Sequence, residues 1–148
     1  MDPLFVALPD DAQIAEALAL WPELDGREVA PILVTALGDV FVETDAGDVW
    51  VASPKDLACW PIAPSVDAFE ELLEDQDWVH ERVGAEICLI ARSMGVSRPP
   101  EQVIGIMPHP VVTGHGPLGS LIPMDLVAWH RLAQATRGLQ RPDDPSAA

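Results

Sequence analysis

The chain has 148 residues, of which 49% are apolar and 24 acidic against eight basic, for a formal charge of −16. So large an apolar share excludes a disordered acidic tail and can supply a core. The charge excludes nucleic acid and an anionic membrane surface as natural partners, because both are polyanions.

The N-terminus, Met1-Asp2-Pro3-Leu4, puts no basic residue ahead of an apolar run, so no signal peptide is expected. No stretch approaches the roughly 18 uninterrupted apolar residues of a membrane span. Asp10 and Asp11 are placed to cap a first helix, with Ile14, Leu18 and Trp21 on one face and Pro22 as its stop. From Pro31 the period changes to that of strands. Ile32–Thr35 opens a β region, Val40–Thr44 and Val49–Ala52 form a hairpin around the polar turn 45–48, and Ala58–Ile62 follows as an edge strand because of Pro61. Ser65 suits the N-cap of a helix over 66–74, whose Val66, Phe69 and Leu73 share a face. A further helix is predicted over 77–94, carrying Val79, Val83, Ile87, Ile90 and Met94, with Gly95 at its C-terminal end. Val103–Ile106 reads as a strand that extends the sheet, and 108–122 as a Pro/Gly-rich loop. Pro123 is placed for the first turn of a last helix over 124–137. The reading is a single α+β domain over residues 1–138. It has a small, mainly antiparallel sheet with helices packed on one face, the N-terminal helix at an edge, and a disordered tail over 139–148. Trp50, Phe69, Val83, Ile87, Ile90, Leu126 and Val127 are the expected core.

Chemistry is sparse. Cys59 and Cys88 lie far apart without a CxxC partner and read as two buried thiols in a reducing compartment, with one disulfide as the alternative. A cytoplasmic location follows. His80, His109, His115 and His130 show no helical pair at ligand spacing, so neither a metal nor another cofactor is expected. His109 and His115 share a loop that could converge on a ligand, and His130 reads as structural. Thr113–Pro117 lacks the lysine and following helix of a phosphate loop, and no serine or cysteine has the setting of a nucleophile, so no catalytic residue is assigned.

The acids are not evenly spread. Residues 1–81 contain 19 acidic and two basic residues, a net −17, while residues 82–148 come to +1. Asp67, Glu70, Glu71, Glu74, Asp75, Asp77 and Glu81 follow one another with no intervening base. On a helix the first five are linked by i+3 and i+4 steps, so they share a face opposite Phe69 and Leu73. Such a face attracts a basic protein surface, at a rate that falls with salt; a merely solvated face is the plainer account. The hairpin acids Asp39, Glu43, Asp45 and Asp48 form a rival patch.

The order of these pieces carries a resemblance. Leu37-Gly-Asp-Val-Phe-Val-Glu-Thr-Asp-Ala-Gly-Asp-Val-Trp-Val51 precedes the acidic helix. Gly105-Ile-Met-Pro-His-Pro-Val-Val-Thr-Gly114 and Asp125-Leu-Val-Ala-Trp-His-Arg-Leu-Ala-Gln134 come after it. Over roughly residues 32–137 this succession resembles the C-terminal domain of type VI secretion DNase immunity proteins, a family often found beside a GAD-like domain. Thr113-Gly114 stands here where that family has a Gly-Gly pair. The resemblance implies a non-catalytic immunity protein that binds and blocks a cognate toxin. The toxin would be a nuclease or another effector with a basic surface. A small ligand-binding or regulatory domain, with a pocket lined by Trp50, Trp60 and the 108–122 loop, is the alternative. A hydrolase would need a nucleophile and base that the sequence does not offer.

Overall fold

The computed structural model describes residues 1–107, 109 and 120–139. Residues Val40–Thr44 and Val49–Ser53 are apolar on both alternating faces, so a sheet containing them must be covered on both sides. They form the central strands β2 and β3 of a four-stranded antiparallel sheet, between β1 (Val29–Val34) and β4 (Ala58–Ala63). Pro31 and Pro61 both fall on outer strands, where a missing N–H costs no ladder bond to a further strand.

The α+β class and antiparallel sheet agree with the sequence reading, but the coverage goes beyond one face. Phe41, Val49 and Val51 point to one side, where they meet Phe69 of α2 (Val66–Glu74) and Trp78 of α3 (Gln76–Val83). The Phe41 and Phe69 rings lie 5.0 Å apart, and Trp78 stands edge-on to Phe69 at 6.4 Å. Val40, Val42 and Ala52 point to the other side and join a larger core. That core includes Ile14, Ala17 and Leu18 of α1 (Asp11–Leu18), Cys88 and Ala91 of α4 (Ala85–Ser93), and Leu126, Val127 and Trp129 of α5 (Leu126–Leu139).

The predicted caps Asp10 and Ser65 are present, and Asp75 caps a third helix that no expected cap marked. Asp10, Ser65 and Asp75 accept from the backbone N–H groups of Gln13, Ala68 and Trp78, at 2.8, 3.1 and 3.2 Å. Asp75 also ends α2, so the acidic run spans two helices.

Four expectations need correction. The helix over 77–94 is two helices, because Gly84 adopts φ +66° and its α-carbon lies against the side chain of Leu37, where a Cβ would collide. That break rotates α4, so it buries Ala85, Cys88 and Ala91 and leaves Ile90 exposed and Ile87 half-buried. Trp50 is likewise half-buried, whereas Phe69, Val83, Leu126 and Val127 are core as expected. The Val103–Ile106 strand does not extend the main sheet. It belongs to β5 (Val103–Met107), which pairs with β6 (Ser120–Met124) in a separate hairpin. The N-terminal segment meets the outer side of β1 instead, where Val6 bridges Thr35 and Ala7 donates to the Val34 carbonyl. Pro123 consequently sits in β6 opposite Ile104, and the last helix starts at Leu126 and continues to Leu139. The remainder of the expected loop and tail lies outside the described residues.

Cys59 and Cys88 are free and buried, and burial pushes the Cys59 thiol up to about 12. Among the described residues no helix is long and apolar enough to cross a membrane.

These placements separate two substitutions that the sequence pattern treats alike. Phe69→Ala should cost about 3–5 kcal/mol of unfolding free energy, and Ile90→Ala, at a partly covered surface position, only about 1 kcal/mol. Denaturant unfolding of both variants checks the rotation of α4.

Candidate functional site

Leu37-Gly38-Asp39 forms a buried turn between β1 and β2. Gly38 has φ +89°, and a Cβ there would stand 2.6 Å from Cδ1 of Trp129. With no side chain in the way, α5 closes onto the turn. The Trp129 indole donates to the Leu37 carbonyl at 2.8 Å, and His130 Nε2 bonds the Gly38 carbonyl at 2.7 Å. His130 Nδ1 accepts from the Trp21 indole at 2.8 Å. An indole N–H can only donate, so Nδ1 must be unprotonated and Nε2 carries the hydrogen. Both ring nitrogens are thus committed to protein groups, as a structural histidine's would be. His109 is also buried, stacked on Trp129 at 5.5 Å with Nε2 2.7 Å from the Pro54 carbonyl. His115 lies outside the described residues, and among those described no group of three His, Cys, Asp or Glu side chains is placed to hold a metal.

Asp39 is the turn's other contribution, and it overturns the rival surface patch. Its side chain is wholly buried. Arg82 donates to Oδ2 from Nε and a terminal nitrogen at 3.1 and 2.8 Å, Ser53 donates to Oδ1 at 2.7 Å, and Lys55 lies 3.9 Å away. Burial raises the Asp39 pKa, opposed by Lys55, Arg82 and the Ser53 bond. Arg82 also bonds Asp56, and Lys55 donates to the Arg82 carbonyl at 2.7 Å. Two cations and two carboxylates therefore balance. Asp39 and Ser53 expose no surface that a substrate could reach. The cluster joins β2, β3 and α3. Sequence reasoning missed it, although Lys55 and Arg82 are the two bases bracketing the acidic stretch, and so the natural candidates for compensating a buried acid.

The remaining hairpin acids do not form one patch either. Asp39 and Asp48 stand at opposite ends of β2, separated by a five-residue strand of about 17 Å. Asp48 accepts from Thr44 and from the Trp50 indole, and these bonds hold its carboxyl below the ordinary range. Glu43 is half-buried and only Asp45 is exposed.

The α2–α3 acids differ. Asp67, Glu70, Glu71, Glu74, Asp75, Asp77 and Glu81 are all exposed, and none pairs with a described basic side chain. Phe69 pulls the opposite side of α2 onto the sheet, so Asp67, Glu70, Glu71 and Glu74 must face outward. Asp77 and Glu81 continue the charge one turn apart on α3.

Most basic side chains are engaged within the fold. Arg27 and Arg82 lie over the Trp50 and Trp60 rings at 4.7 and 5.2 Å; most of the 108–122 loop that would complete a pocket with these rings lies outside the described residues. Arg131 pairs with Glu16, and Arg137 with Glu23 while covering Trp21. Arg98 donates to the carbonyls of Pro3, Val6 and Gln102.

Two stability effects follow. Arg82→Met should cost about 3–5 kcal/mol by stranding a buried carboxylate; adding Asp39→Asn should recover much of that loss in thermal unfolding. Burial holds the His130 pKa down at about 4, against an ordinary value of 6.5. Between those pH values the unfolded chain binds a proton that the folded one refuses. The neutral ring's contribution is complete above about pH 6.5 and falls away on acidification, by up to about 3 kcal/mol near pH 4. His130→Gln should be less stable at neutral pH and lose this part of the pH dependence, as measured by urea unfolding across that window.

No protein-family model, curated protein or solved structure matches this chain.

Proposed function

We propose that the protein is a cytoplasmic, non-catalytic immunity protein. It neutralises a cognate type VI secretion effector by laying the α2–α3 acidic face over a basic active or substrate-binding surface, such as a nuclease presents. One observation carries the reading. Seven exposed carboxylates follow each other along two helices without a described basic partner, while nearly all the described bases are engaged elsewhere. Like charges at i+3 and i+4 cost a few tenths of a kcal/mol per pair in the free protein. A basic partner relieves that repulsion, and the same field speeds its approach. The order of the hairpin, acidic helices and closing His130 helix supports the same reading through its resemblance to immunity domains. No nucleic acid, membrane or cofactor enters the mechanism.

The test reverses Glu70, Glu71, Glu74 and Glu81 to Lys, leaving Asp75 in place because it caps α3. The fold should survive. Association with the cognate effector domain should slow at least tenfold at low salt, and protection of cells expressing that effector should fall. Glu43→Lys with Asp45→Lys is the control and should change little. Undiminished binding by the helix variant, or failure of the wild-type chain to bind any such effector, overturns the proposal.

A further inference from the structure

A cleft of about 550 Å³ opens between the N-terminal segment and α4. Its origin is the small-residue face that α4 turns inward. Cys88 and Ala91 leave space that larger side chains would fill, and Leu4, Val6 and Ile104 complete apolar walls. The volume falls within the usual range of small-molecule sites.

Its charge is the reverse of the chain's. Among the described residues Arg92 and Arg98 line the cleft and no acidic residue does, although the whole chain carries −16. Arg98 is fixed there by donating to the carbonyls of Gln102, Pro3 and Val6 at 3.0, 3.2 and 2.6 Å. Carbonyls orient a guanidinium without neutralising it, so the positive charge remains available to an anion. Arg92 is exposed and meets no described carboxylate.

From this pairing of apolar walls with two arginines, we propose that the cleft binds a linear carboxylate amphiphile, with its acyl chain among the apolar side chains and its carboxylate at Arg92 and Arg98. A cationic amphiphile meets the wrong charge, and a neutral chain leaves the arginines unused. A peptide backbone would bring N–H and C=O groups that apolar walls cannot satisfy. No residue of α2 or α3 lines the cleft, so the site is independent of the acidic face and of its proposed partner.

Calorimetric titration of the full chain with decanoate tests this, with decanol and decyltrimethylammonium as chain-matched controls. Decanoate should bind saturably at one site and raise the melting temperature; the controls should displace it at least tenfold more weakly. Arg92→Glu, a surface change that leaves the walls intact, should weaken decanoate about tenfold, equivalent to roughly 1.4 kcal/mol. Ala91→Leu, which fills the cleft, should abolish binding if its circular dichroism remains native. Absence of saturable decanoate binding, equal displacement of decanoate by either control, or unchanged affinity in Arg92→Glu overturns the proposal. Should Ala91→Leu fail to fold, Arg92→Glu still decides between these outcomes.

Discussion

The peptide groups of the Thr35–Asp39 turn lie away from water, and separate parts of the chain reach in to meet them. Phe5 accepts from the Ala36 N–H, Ile104 donates to the Ala36 carbonyl, and Trp129 and His130 close on Leu37 and Gly38. The Thr35 hydroxyl receives the Asp39 N–H, while the Asp39 carboxylate draws in Ser53 and Arg82. A buried turn is tolerable only on these terms, since each unmet polar group would cost about 1–3 kcal/mol. The positions of β5, α3 and α5 follow from it. Leu37 contributes through packing as well, because its side chain occupies the space that Gly84 leaves open between α3 and α4.

Charge is segregated by depth. Several bases act as inward staples: Arg82 and Lys55 across the sheet–helix junction, Arg98 across the N-terminal segment, Arg137 across Trp21; Arg92 and Arg131 stay at the surface. Apart from Asp39, the few acids in ion pairs, the caps Asp10 and Asp75 and the hairpin Asp48, most of the described acids face outward without such bonds. An excess of carboxylates on one pair of helices is therefore a property of the assembled surface as well as of composition, and it costs little while the aromatic contacts under α2 hold.

Strand alternation and helix caps are local, which is why the hairpin, the Ser65 and Asp10 caps and the buried face at Phe69 could be read directly from the chain. Three features could not. The Gly84 break depends on what Leu37 occupies across the fold, so residues 77–94 look like one continuous apolar stripe and Ile90 looks inward. Pro123 suits both a helix start and a short strand, and the choice depends on pairing with Ile104. Asp39 is indistinguishable from its surface neighbours until Arg82, distant in sequence, is brought beside it. The α2–α3 acids were legible because their exposure follows from Phe69 on the same helix; the arginine-lined cleft was not, because its walls come from segments nearly 90 residues apart.

The contacts that complete the turn also impose an order on synthesis. Trp129 and His130 meet carbonyls 92 residues earlier in the chain, and His130 reaches Trp21 across 109. A ribosome making this chain has completed all four strands of the main sheet before Arg82 can neutralise Asp39, and α5, which closes the turn, comes later still. Local hairpins and capped helices can form as they emerge, but the larger core waits for the last helix. Folding dominated by such distant contacts is slow relative to a helical bundle of the same size. Until α5 emerges the central turn is unmet, and the dense negative charge of residues 1–81 supplies mutual repulsion between chains during that interval.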